Sequence, residues 1–155
     1  MKKIMFFVCF ILCCSQLAAL QWSNRSSYEM KWDDAVNYCR NLNEIGHSDW
    51  RLPNIDELRT IVKNCSKTQT GGLCKVSEKN SCLSYNCAEP KNSCSCEDKK
   101  NNNGFFNQLR DDENVKLWSS SVVSDTPALA WYIYFAKAKI NNIHKFASHY
   151  VRCVR

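Results

Sequence analysis

Eight cysteines follow the first 19 residues of this 155-residue chain, and they constrain its fold more than any other feature of the sequence. An even number of cysteines in a small exported chain is typical of a disulfide framework. Cys39 and Cys153 lie in stretches with regular apolar patterns. The other six are clustered in a polar stretch rich in Ser, Asn and Lys: Cys65, Cys74, Cys82, Cys87, Cys94 and Cys96. Because six cysteines allow many connectivities, the sequence leaves their pairing open.

Residues 1–19 have the pattern of a secretory signal peptide. Two lysines precede an apolar run, residues 4–14, and small residues lead to Ala19. We therefore expect cleavage after Ala19 and export of a single domain, residues 20–155, to the periplasm, the cell surface or the medium. Leu20 stands where a lipoprotein would carry its lipidated cysteine, which disfavours a lipid anchor. No later segment approaches the roughly 20 apolar residues that a membrane-spanning helix needs.

Two helices are predicted in the N-terminal part of the domain. Apolar residues recur at helical spacing from Trp32 to Leu42, and Asp33 and Asp34 would lie in the first turn, where negative charge suits the helix dipole. Asn54, with Glu57 three residues later, fits a capping box at the start of the second helix. The buried stripe of that helix would consist of Ile55, Leu58, Ile61 and Val62.

The C-terminal part of the domain has the pattern of β-strands. Alternating and β-branched residues predict strands at Leu117–Val123, Ala130–Lys137 and His149–Arg155, with Asn141-Asn142 as a turn. A cysteine-rich insert, residues 66–103, separates the helices from these strands. The predicted class is therefore α+β, with two helices packed on a small antiparallel sheet and stapled by disulfides.

Several short strings occur in an order and spacing shared with one known family. They are Met30–Ala35 with Tyr38 and Cys39, Asp49–Pro53 with Asp56–Leu58, Trp118–Ser120, Ala130–Trp131 with Tyr134–Phe135, and Tyr150–Arg155. With these strings the chain resembles the Lcl C-terminal domain family of bacterial exported domains. The resemblance implies a C-type-lectin-like fold, related also to formylglycine-generating enzymes, and a disulfide between Cys39 and Cys153. The insert has no counterpart in that pattern, and Lys137-Ala138-Lys139 stands where members usually carry a turn glycine.

No arrangement of residues in the sequence supports catalysis or a metal site. No Gly-x-Ser-x-Gly elbow surrounds Ser119–Ser121, and no nucleophile, base and orienting group can be assigned. The insert cysteines lack the paired spacing of a zinc site, and Glu89-Pro90-Lys91 places a lysine where a calcium-binding lectin needs an amide ligand. Trp50 and Arg51 are expected to anchor a loop rather than bind a ligand. We therefore expect no enzyme activity and no cofactor.

The basic surplus of the chain is confined to its C-terminal part. From residue 115 onward six Lys and Arg residues accompany a single acidic residue, Asp125, whereas residues 20–114 are nearly neutral. His144 and His149 would add positive charge below about pH 6.5. A basic surface that also carries aromatic rings suits a sulfated or carboxylated polysaccharide.

We therefore expect a non-enzymatic recognition or adhesion domain at the cell surface that binds anionic polysaccharide, and the resemblance implies the same because understood members bind glycosaminoglycans. The expected anion contacts are Lys137, Lys139, Lys145 and Arg152, with Trp131 or Tyr134 as stacking partners. A solvated basic face is the other interpretation of these charges. The alternative function is a structural accessory subunit of a surface appendage or envelope complex that binds a protein partner through the insert. Export argues against nucleic acid as a partner, and the sequence does not define the oligomeric state.

Overall fold

The structure, a computed structural model, describes residues 19–96, 106–109 and 114–155. Within these residues two α-helices, α1 (Trp32–Asn41) and α2 (Ile55–Thr60), precede one antiparallel sheet. Its strands are β1 (Lys116–Val122), β2 (Leu129–Tyr134) and β3 (Lys139–His144), in the order β1-β2-β3. The predicted α+β class is confirmed, the C-type-lectin-like fold stays a prediction, and most of the predicted signal peptide lies outside the described residues.

Both helices begin where the sequence predicts them, but α2 ends at Thr60, so Ile61 and Val62 of the predicted stripe are buried just beyond the helix. Asp33 and Asp34 occupy the first turn of α1, and its last turn carries Arg40, so the charges complement the helix dipole. At α2 the predicted capping box is present: Asn54 Oδ1 accepts a hydrogen bond from the Glu57 N–H, and Glu57 Oε2 accepts one from the Asn54 N–H, both at 2.8 Å. In the described residues no helix has the length and apolar character needed to cross a membrane.

The sheet buries apolar residues on both faces because side chains alternate along each strand. Leu117, Ile133 and Ile140 form one row across the three strands and pack, fully buried, with α2 and the insert. Trp118 and Tyr132, in the adjacent row, point to the opposite face and pack with α1. The sheet is therefore the middle layer of the domain.

The third strand differs from the prediction. Asn141-Asn142, predicted as a turn, lies inside β3, and the chain instead reverses at a 3₁₀ turn, Phe135–Lys137, followed by Ala138. Ala138 has a left-handed conformation with φ of 43°, which glycine adopts more readily than alanine. Lys137-Ala138-Lys139 thus makes the turn without the family's usual glycine.

Residues 149–155, here called the C-terminal segment, do not form the predicted strand of the sheet. The segment makes isolated antiparallel bridges, from His149 to Met30 and from Val154 to both Trp22 and Arg51. It also makes one isolated parallel bridge to the sheet, from Tyr150 to Leu117 of β1, but its pairing is not continuous enough to form a strand. The segment still contacts the sheet through the Tyr150 N–H, which donates to the Lys116 carbonyl at 3.1 Å.

The eight cysteines beyond residue 19, all within the described part of the chain, form four disulfides. The bond implied by the resemblance, Cys39–Cys153, is present and spans 114 positions. In the chain-entropy description a closure of that length stabilises the folded state by roughly 4 to 5 kcal/mol. The six clustered cysteines pair as Cys65–Cys96, Cys74–Cys94 and Cys82–Cys87.

The insert is part of the core rather than an appended loop. Arg59 of α2 is only 3% exposed, and its guanidinium donates to three insert carbonyls: Thr68 at 3.0 Å, Gln69 at 2.9 Å and Val76 at 2.7 Å. Val76 is itself fully buried in the cluster beneath the sheet. The conformation of the insert between residues 66 and 96 therefore depends on one buried arginine as well as on its disulfides.

Replacing Arg59 with methionine is expected to lower the free energy of unfolding by about 3 kcal/mol, because two buried carbonyls and one partly buried carbonyl lose their donors. Urea unfolding of the oxidised protein would measure this loss. The control is Arg40→Met, since Arg40 is exposed and its side chain donates a 3.3 Å hydrogen bond to the exposed Asn37. A stability of Arg59→Met close to that of the control would contradict the anchoring role.

Candidate functional site

Two of the six predicted contact residues are buried and cannot reach a ligand at the surface. Trp131 is completely buried, and its indole N–H donates to the Leu83 carbonyl at 3.2 Å. Arg152 is 6% exposed, and its guanidinium donates to the Ser23 carbonyl at 2.6 Å. The hypotheses that Trp131 stacks on a sugar and that Arg152 contacts an anion are therefore wrong, because both side chains serve internal hydrogen bonds.

The three predicted lysines do not form one patch. Lys139 begins β3 and Lys145 follows its end, so their backbones are about 20 Å apart along the strand. The Lys145 ammonium lies 4.1 Å from the ring centre of Trp32, in a cation–π contact on the α1 side. Lys137 is exposed in the 3₁₀ turn close to Lys139. Lys137 and Lys139 therefore belong to one end of the sheet and Lys145 to the other.

The sheet brings together a different set of side chains at the Lys139 end. Lys116 of β1 is directly opposite Tyr134 of β2, which is directly opposite Lys139 of β3. Directly opposed residues in an antiparallel sheet share a face, so these three side chains form a row, which we call the basic row. All three are partly exposed. Sequence analysis counted the charge of Lys116 but did not place it in a site, because its neighbours depend on the strand register.

The basic row combines cationic and aromatic groups. The Lys116 ammonium is 5.8 Å from the ring centre of Tyr134 and 6.0 Å from that of Tyr132. The two lysines are two strand spacings apart, about 10 Å between backbones, with the Tyr134 ring between them. This geometry can present two ammonium groups to anions while an aromatic ring contacts an apolar face of the same ligand.

Lys139 also borders a cleft between the sheet edge and the insert. The cleft has a volume of about 250 Å³ and includes Tyr85 and Glu89 of the insert and Asn141 and Asn142 of β3. Asn141 is already engaged, because its amide donates to the Tyr132 hydroxyl at 3.5 Å and its oxygen accepts from the Asn142 N–H at 3.0 Å. The cleft extends the surface next to the basic row onto the insert.

A buried histidine lies beneath the basic row. The ring of His149 is 4.5 Å from that of Trp118 and 4.6 Å from that of Tyr132, and the residue is only 3% exposed. Among the described residues its Nε2 is a buried side-chain atom without a hydrogen-bond partner, whereas Nδ1 contacts the Ser148 carbonyl. Burial, with a smaller contribution from the charge of Lys116, lowers the pKa of His149 to about 4.

The low pKa of His149 contradicts the expectation that this residue adds positive charge below about pH 6.5. His149 does not gain positive charge below pH 6.5 in the folded protein, because its imidazole stays neutral until about pH 4. His144, by contrast, is exposed at the end of β3. The positive charge near the basic row therefore comes from lysines over the ordinary pH range.

The Asp49–Pro53 motif makes contacts that hold neighbouring elements together, through side chains rather than through the backbone contacts expected of Asp49 and Arg51. The Arg51 guanidinium binds both oxygens of Glu57, at 2.7 and 2.5 Å, while Asp49 accepts from Arg155 at 2.7 Å. The Arg51 backbone also pairs with Val154. The motif thus ties α2 to the C-terminal segment.

The part of the chain that the structure describes contains no group of three or more His, Cys, Asp or Glu residues placed to hold a metal ion. The four cysteines that could have supplied zinc thiolates, Cys82, Cys87, Cys94 and Cys96, are all in disulfides.

The sequence matches the family model described as the Lcl C-terminal domain over residues 15–155. The match spans nearly the whole chain. No curated protein matches the sequence significantly.

The stability of the protein is expected to fall as the pH is lowered from 6.5 to 4, because the unfolded chain binds a proton at His149 in this window and the folded chain does not. This contribution is fully present above pH 6.5 and amounts to up to about 3 kcal/mol. Urea unfolding at several pH values should show that His149→Gln loses this part of the pH dependence. His144→Gln is the control and should retain it, so equal slopes for the two variants would contradict the assignment.

Proposed function

Because this chain belongs to the Lcl C-terminal domain family, we propose that it is a non-enzymatic exported recognition domain that binds anionic, sulfated polysaccharide through the basic row. Family membership and four disulfides in a small domain indicate an exported protein. The proposed ligand follows from the chemistry of the surface and not from membership alone.

The observation that carries the proposal is the register of the three strands. It places Lys116 and Lys139 on the same face with Tyr134 between them. A sulfated polysaccharide offers repeated anionic groups on a chain of sugar rings, so it can meet two separated ammonium groups and an aromatic ring at once. Isolated surface lysines would attract anions, but they would not combine both contacts.

The position of Lys137 supports the same surface. Lys137 is exposed in the turn between β2 and β3, adjacent to the start of β3 where Lys139 lies. The proposed contacts are therefore Lys116, Lys137 and Lys139 with Tyr134. Lys145, engaged with Trp32 at the far end of β3, is outside this surface.

A protein partner is a second candidate, and one observation favours it. Leu73 and Tyr85 of the insert are 69% and 45% exposed, and aromatic side chains are enriched at the centres of protein interfaces. Removing the whole insert would not test this function, because Arg59 and the buried Val76 tie the insert to the core. Leu73→Ser with Tyr85→Ser changes this surface without removing the anchors.

Heparin affinity chromatography of the oxidised domain, residues 20–155, tests the proposal. The variant Lys116→Glu with Lys139→Glu is expected to bind heparin about tenfold more weakly than the wild type, since two attractive contacts become repulsive. Lys75→Glu with Lys79→Glu has the same net charge and alters two exposed lysines of the insert, so it should elute close to the wild type.

Equal loss of binding in the two double variants would mean that heparin responds only to net charge, and the basic row would not be a site. A partner that binds the insert would give the opposite result. Binding that persists at about 0.5 M salt, survives the basic-row substitutions and is lost in the Leu73 and Tyr85 variant would favour the protein partner.

A further inference from the structure

A second cleft lies along α1, the helix that packs on the same face of the sheet as the basic row. Its volume is about 350 Å³, and it is lined by Tyr28, Met30, Asp34, Asn37, Tyr38 and Asn41. We call it the α1 cleft. It is distinct from the basic row because none of its lining residues belongs to the sheet.

The helix places the polar residues of the α1 cleft on one face. Asn37 and Tyr38 follow Asp34 by three and four positions, and Asn41 follows them by four and three, so the four side chains lie on one face of α1. Tyr38 is partly buried, which restricts its ring, and Tyr28 projects from the loop before the helix with 60% of its surface exposed. Met30, 6% exposed, lies at the base of the cleft. The cleft thus has two aromatic walls on a rigid support.

The polar side chains of the α1 cleft form few hydrogen bonds with the rest of the described protein. Within the described residues, no side-chain hydrogen bond involves the hydroxyls of Tyr28 and Tyr38, the carboxylate of Asp34 or the amide of Asn41, and Asn37 accepts one bond from Arg40. By contrast, the buried indoles of Trp118 and Trp131 each donate to a carbonyl. The α1 cleft therefore offers several donors and acceptors to a ligand.

The charge of the α1 cleft selects the kind of ligand. Its lining contains one carboxylate, Asp34, and no lysine, arginine or histidine. The nearby negative charge of Glu44 contributes, after burial, to raising the pKa of Tyr38, so this phenol remains a hydrogen-bond donor. An anionic ligand would be repelled here, whereas a neutral ligand with many hydroxyls would find complementary groups.

We propose that the α1 cleft binds a neutral saccharide unit. Hydroxyl groups donate and accept at once, as do the amides and phenols that line the cleft, and the apolar face of a sugar ring can pack on the tyrosine rings. A volume of about 350 Å³ falls in the range of small-ligand sites and accommodates one or two sugar rings. This proposal does not rest on heparin binding at the basic row.

The test is a titration of ¹⁵N-labelled oxidised domain with the methyl glycosides of glucose, galactose, mannose and N-acetylglucosamine. Each is added to about 50 mM, which detects millimolar affinity, and about 0.5 M salt suppresses charge-driven binding. With at least one glycoside we expect saturable shifts of the Asn37 and Asn41 side-chain amides and of the α1 backbone. The absence of shifts with all four glycosides would overturn the proposal.

Matched variants separate the α1 cleft from other surfaces. Asn37→Ala with Asn41→Ala changes two exposed helix positions to a better helix former, so the fold should persist while the affinity for the active glycoside falls at least about tenfold. Asn43→Ala and the Lys116 and Lys139 double variant should retain that affinity. Shifts centred on the basic row, or unchanged binding in the Asn37 and Asn41 variant, would contradict the site. Displacement of the glycoside from the cleft by a short peptide that lacks its hydroxyl groups would contradict it as well.

Discussion

The disulfide between Cys39 and Cys153 is the constraint on which the rest of the structure depends, because it holds the C-terminal segment in the middle of the domain. The Ser23 hydroxyl accepts from the Cys153 N–H at 2.8 Å, and the Ser26 hydroxyl accepts from the Val151 N–H at 3.0 Å. The Tyr150 N–H of the same segment donates to the carbonyl of Lys116 at the start of β1. A cross-link over 114 positions thus contributes directly to the placement of the basic row.

The insert has a structural role that its polar composition does not predict. Three disulfides and the Arg59 hydrogen bonds fix the conformation of the insert, which lacks a periodic pattern of apolar residues. It also covers part of the exposed edge of the sheet, since the Cys96 N–H donates to the Lys137 carbonyl at 3.0 Å, just before β3 begins.

Most local signals in the sequence predicted local structure; one turn was missed, and the other failures involve contacts between distant residues. The capping box joins Asn54 and Glu57, which are only three positions apart, and it was predicted correctly. The third strand was placed wrongly because alanine, at Ala138, makes the turn that glycine or asparagine usually marks. The basic row was missed because Lys116 and Lys139 become neighbours only when two strand registers are fixed. Likewise, charge and aromaticity alone do not tell that Trp131 and Arg152 are buried.

One buried cluster supports both candidate surfaces. The rings of Trp118, Tyr132 and His149 pack together, and the Lys116 ammonium of the basic row lies above Tyr132. On the other side the Trp118 indole donates at 2.9 Å to the carbonyl of Met30, which forms the base of the α1 cleft. A neutral His149 suits this position, because a second positive charge beneath Lys116 would be both buried and repelled. The two surfaces therefore share the packing that stabilises them, while one presents ammonium groups and the other presents amides, phenols and a carboxylate.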